Sequence, residues 1–129
     1  MSAEKERVTR DQILNLAAVR DLLLEEAQKL EKMRVLIAHT GGEEDSDNFE
    51  ARIAVDSWLL LLRNLVGRLS LIISYGERGV WTAARLEACS ATELVYGALS
   101  RARDPIYENL RLPLASIAST LSKLCGDER

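Results

Sequence analysis

Apolar residues recur along this chain at alternating steps of three and four, the repeat of a helix face, and no segment alternates at period two. In the first forty residues Leu16, Val19, Leu23, Leu30, Met33 and Ile37 follow heptad spacing, interrupted by Glu26 at one seam position. A second stripe of Ile13, Ala17, Leu24 and Ala27 widens that face. Thr9 and Gln12 have the spacing of a capping box and predict the helix start, and the "TGG" beginning at Thr40 predicts its stop. The result is a long first helix.

Asp47 and Glu50 repeat the cap signature and predict a second helix from about Asn48. Ala51, Val55, Trp58, Leu62, Leu65, Leu69 and Ile72 form its inner seam, while Leu59, Leu60, Leu61, Val66 and Ile73 add apolar surface on other sides. A helix that is apolar nearly all round is covered nearly all round, here by its own bundle or by a second copy. Periodicity does not separate the two.

The stretch "SYGERG", Ser74 to Gly79, predicts a turn with Gly76 or Gly79 in the left-handed position after the helix. Trp81, Ala84, Ala88, Ala91, Val95 and Ala98 define a third helix with small residues on its packing face. Ser90 and Glu93 have the spacing to cap a break within it, but the unbroken repeat predicts one continuous helix. Asp104 as N-cap with Pro105 behind it opens a fourth. Its apolar positions Ile106, Leu110, Leu114, Ile117, Leu121 and Leu124 stay in register across Pro113, which predicts a kink there, and Gly126 closes it.

The pattern therefore predicts an all-α, self-associating four-helix antiparallel bundle. It forms a single domain over 1–129, with flexible tails at 1–8 and 126–129 and an acidic loop at 40–47. Composition agrees. Leu and Ala dominate, aromatics are only 5%, and helices prefer that mix over strands. A net charge of −3 gives no electrostatic footprint for DNA or for an anionic membrane. The start, "MSAEKERVTRDQ", is polar, unlike a signal segment. The most apolar run, Trp58 to Ile73, is short for a bilayer and carries Arg63, Asn64 and Arg68. Cys89 and Cys125 are far apart, without a CxxC or a nearby histidine, so neither a zinc site nor a disulfide framework is expected. A reduced, cytoplasmic protein follows from these readings.

Candidate chemistry is sparse. Arg34 and the sole histidine, His39, stand in "RVLIAH", which resembles the Arg-x4-6-His signature of the HEPN family, all-helical and often dimeric proteins that include metal-independent ribonucleases. That resemblance implies a catalytic pair, His39 helping to deprotonate a ribose 2′-hydroxyl and Arg34 steadying the phosphate. Without it, a histidine in the last turn of a helix is accounted for by the helix dipole and a free carbonyl. Glu25, Glu26 and Glu31 lack the Glu-x-x-His pairs of di-iron bundles and the paired motifs of helical nucleotide pyrophosphohydrolases. The acidic "EEDSDNFE" puts Phe49 where a calcium loop needs a ligand. There is no GxSxG, P-loop or GxGxxG. No cofactor or metal is expected, and an apolar ligand between the helices would have no polar anchor.

The sequence thus predicts a non-enzymatic interaction or assembly module, binding a protein partner or itself. Candidate interface residues are Trp58, Leu59, Leu62, Leu65, Val66, Leu69 and Ile73 on the second helix. A HEPN-like ribonuclease built on Arg34 and His39 is the alternative.

Overall fold

A computed structural model describes the backbone of residues 3–40, 46–101 and 107–126, and side chains over 10–37, 50–101 and 108–126. It contains α1 (Ala3–Thr40), α2 (Ser46–Glu77), α3 (Trp81–Leu99) and α4 (Tyr107–Cys125), and no strand among the described residues. Each helix packs on the next and α4 packs back on α1, while the diagonal pairs stay apart, so the helices form a closed ring around one core. On α1 and α2, Ile13 lies against Gly76, Glu31 meets Arg63 and Arg34 meets Asp56. Numbers rise on one helix as they fall on the other, so the two run in opposite directions. The pairs Ser57–Arg101 and Arg68–Glu87 show the same for α2 and α3, and Cys89–Cys125 with Tyr96–Ser122 for α3 and α4.

The core is the set of inner seams. Leu16, Leu23, Trp58, Leu62, Leu65, Leu69 and Ile72 are fully buried, facing Ala84, Ala88, Ala91, Val95, Leu110, Leu114, Ile117 and Leu121. Each large side chain taken out of water contributes roughly 1.5–3 kcal/mol, so these stripes dominate the stability. The alanines of α3 bring its axis close to its neighbours. That helix is continuous through Ser90, and α4 is continuous through Pro113.

Several boundaries differ from expectation. Helix α1 is already helical from Ala3, so Thr9 lies inside it and is not its cap; α2 begins at Ser46, which places Asp47 inside as well. The cap positions Asp104 and Pro105 and the core position Ile106 fall outside the described residues. The α2–α3 turn is resolved in favour of Gly79, at φ +76°. Val80 N–H donates to the Tyr75 carbonyl (2.8 Å) and Gly79 N–H to that of Gly76 (3.1 Å), the paired bonds of a Schellman cap. Gly76 instead stays helical, packed on Ile13 and Trp81.

Two expected core positions on α1 are exposed: Leu24 at 45% and Met33 at 44%. Leu24 follows the buried Leu23 and is turned about 100° from the core face. Met33 is exposed because of length. At 1.5 Å per residue α1 spans about 57 Å and α2 about 48 Å, whereas α3 and α4 span about 28 Å each. Asn15 and Thr120 share a level, held by a 2.8 Å hydrogen bond. Met33 stands about 27 Å further along α1, while α4 reaches back only about 20 Å from Thr120 to Tyr107. The α1–α2 hairpin outruns its companions.

The cysteines require the largest correction. Cys89 on α3 and Cys125 in the last turn of α4 are disulfide-bonded, with Cα atoms 4.8 Å apart. The register of the hairpin, rather than any local motif, brings them together. The apolar run of α2 is also longer than its sequence core suggested. Glu50–Glu77 is the one described helix long and apolar enough to cross a membrane, with mean hydropathy 1.3. That apolarity includes Val55, Leu62, Leu65 and Leu69, which close the bundle core.

Candidate interaction surface

Six of the seven proposed interface residues on α2 turn inward. Trp58, Leu59, Leu62, Leu65, Leu69 and Ile73 are buried by the bundle itself, and Val66 is half-buried against them. The coverage that the sequence left open is supplied here by α1, α3 and α4. Arg101 adds a lid, its guanidinium 4.3 Å from the Trp58 ring centre and donating to Ser57 Oγ at 3.0 Å.

The exposed apolar surface lies elsewhere and is unevenly shared. Leu14, Leu22, Leu24, Met33, Val35 and Leu36 are exposed on α1, and Ile53, Leu60 and Leu71 on α2. On α3 and α4 the described exposed large hydrophobics are only Leu86, Tyr96 and Leu112. On α2 the exposed residues share one stripe. From the buried seam at Val55, Trp58, Leu62 and Leu65, the positions Ile53, Leu60 and Leu71 lie close to 180° around the helix. Leu60, at 72%, is among the most exposed large hydrophobics of the described residues. The signal for this stripe in the sequence is the apolar excess of α2 outside its inner seam.

Charges run beside the stripe rather than through it. Glu31 accepts from Arg63 (2.8 Å) and also pairs with Arg34 (3.5 Å), which in turn reaches Asp56 (3.5 Å), a ladder that joins α1 to α2. On the opposite flank Arg68 pairs with Glu87 of α3 (3.2 Å) and leaves its Nε buried without a hydrogen bond. Such half-exposed pairs contribute little energy individually, but they fix the charge pattern around the apolar stripe.

The same ladder bears on the Arg34–His39 pair. Arg34 is half exposed and engaged by two carboxylates, whereas the side chain of His39, in the last turn of α1, lies outside the described residues. Of the helical carboxylates, Glu26 pairs with Lys29, Glu31 joins the ladder, and Glu25 is exposed. Among the described residues no three His, Cys, Asp or Glu side chains converge as metal ligands. Phe49 and the acids before it carry no described side chain.

Comparison with protein-family models, curated proteins and solved structures gives no match to this chain.

Proposed function

We propose that this protein is a non-enzymatic interaction or assembly module that binds a protein partner through the outer face of its α1–α2 hairpin. The observation that carries this reading is the asymmetry of exposed apolar side chains, nine on α1 and α2 against three on α3 and α4. Exposed apolar side chains concentrated on one pair of helices are the kind of surface that a partner covers. The excess length of α1 and α2 presents that face beyond the four-helix core. The disulfide adds a setting to the proposal. A Cys89–Cys125 bond persists in oxidising surroundings and is cut in a glutathione-buffered cytoplasm, so a cytoplasmic location goes with the dithiol form of the chain.

Lysine-directed cross-linking in extracts of the source cells tests this. Lys29 and Lys32 are exposed on α1, and Lys123 is exposed at the far end of α4. Cross-links to other polypeptides, or to other copies, should gather on Lys29 and Lys32. Cross-links gathered on Lys123 would place the partner on the wrong side of the molecule.

A further inference from the structure

The disulfide lies beside the core rather than in it. Cys89 follows the fully buried Ala88 but is itself half-exposed, as is Cys125. One residue on from the seam, Cys89 is turned about 100° away from it. The seam is complete without the bond, since Ala84, Ala88, Ala91 and Val95 share one apolar cluster with Leu114, Ile117 and Leu121.

The last turn of α4 depends on the bond more than the rest of that helix does. Leu121 is the last buried residue among the described ones, and Thr120 is tied to Asn15 of α1 at 2.8 Å. Beyond that level Leu124 is half-buried against the core, and the exposed Tyr96 hydroxyl lies 3.4 Å from Ser122 Oγ. The carbonyls of a final helical turn have no partner within the helix, so such a turn frays unless something outside holds it. Here the covalent link to Cys89 holds it. In the dithiol its place is taken by the Cys89 S–H, a weak donor 3.5 Å from the Cys125 carbonyl.

We propose that Cys89 and Cys125 form a redox-sensitive latch, opened by small thiols in the folded molecule, that orders or releases the last turn of α4. A thiolate of the glutathione class attacks one cysteine sulfur, the S–S bond breaks, and the other cysteine leaves as a thiolate that takes up a proton. A second small thiolate then attacks the small-thiol sulfur of the mixed disulfide. It departs as a small disulfide, and the freed cysteine is protonated in turn. Two small thiols are thereby oxidised to one disulfide, and two electrons and two protons pass to the cysteines. The bundle outlasts the exchange because its seams are untouched, and release stops at the level of Thr120 and Leu121. The oxidised chain has a closed α4 end, whereas the reduced chain presents a loose turn carrying Lys123 and Leu124. The proposed binding face lies on α1 and α2, so the latch stands independently of it.

Reduced glutathione added to the oxidised full chain under native conditions tests the latch by rate and by place. The reduction rate, followed by mass after thiol alkylation, should rise in proportion to glutathione over about a tenfold range. A rate that levels off at the unfolding rate extrapolated from denaturant would mean that the bond opens only in the unfolded chain, and would overturn the proposal. On reduction, Cα chemical shifts should lose about half or more of their helical displacement over residues 122–125 while those of 107–118 hold. Oxidised glutathione should restore both the bond and the shifts. Cys125→Ser should show the reduced pattern with no thiol added. A last turn equally helical in the oxidised and reduced chains would sink the latch, as would a Cys125→Ser chain that matches the oxidised wild type. Helix loss spread through α3 and α4, or a bond that does not re-form, would do the same.

Discussion

Gly97 and Gly79 lie eighteen residues apart, and alanine should act on them with opposite sign. Gly97 is an exposed position inside α3 where an added Cβ meets nothing within 4 Å, so Gly97→Ala should stabilise by about 0.5–1 kcal/mol through reduced backbone freedom in the unfolded chain. Gly79 sits at φ +76°, where a Cβ meets its own backbone, so Gly79→Ala should cost about 1–2 kcal/mol. Urea midpoints of the two variants test both signs at once. Ala88, with no exposed surface, has no room for growth. Ala88→Leu should cost about 1–3 kcal/mol by overpacking, and an unchanged midpoint would contradict the close approach of α3. At Arg34, engagement by Glu31 and Asp56 leads to the expectation of no metal-free RNA cleavage by the wild type, Arg34→Ala or His39→Ala. Cleavage by the wild type that both substitutions abolish would establish the ribonuclease instead. Individual core residues were legible in the sequence wherever four helices overlap, from Leu16 to Leu30 and from Val55 to Ile72. Met33 was not, because the heptad repeat continues past the point where α4 stops covering α1.

The tie between α3 and α4 is where an element gains most from a single bond. Cross-linking residues 36 apart restricts the unfolded chain, and loop-closure entropy puts that at about 3–4 kcal/mol for the Cys89–Cys125 bond. Replacing both cysteines by serine should lower the unfolding free energy by about that amount in the absence of reductant. Under strong reductant the wild type should lose nearly the same stability, and the double variant should be indifferent to it. This bond was illegible in the sequence for a definite reason. Spacing places each cysteine on a helix but does not set the relative level of two helices, and residues 102–106, which join them, carry no repeat that would. The helices themselves were legible as periodicities, and their ends were less so. Cap signatures at Thr9 and Asp47 occur inside helices that begin earlier, since a threonine or aspartate with a residue to bond three positions on is compatible with a continuing helix when the preceding residues are good helix formers.

For the molecule as a whole, the ring of helices is joined by the chain on three sides and by side chains alone on the fourth, between α1 and α4. The class of fold and the number of helices were legible because each apolar stripe is too wide to be left in water. The outer face of α2 was legible only as an excess, since a sequence shows that a helix has two apolar sides without showing which one its own bundle covers. The fourth side of the ring also determines how the protein responds to mechanical load. Asn15 and Thr120 bring the first and last helices together at one end of the bundle, so tension applied to the two chain ends peels that seam from its edge. The load path then meets Cys125, crosses directly to Cys89 and bypasses the chain between them, a sequence separation of 36. Oxidised molecules stretched between beads should therefore reach a contour length about 120 Å shorter than reduced ones, at 3.3–3.6 Å per residue. In the oxidised chain most of α4 and the second half of α3 lie within a closed loop that carries no tension.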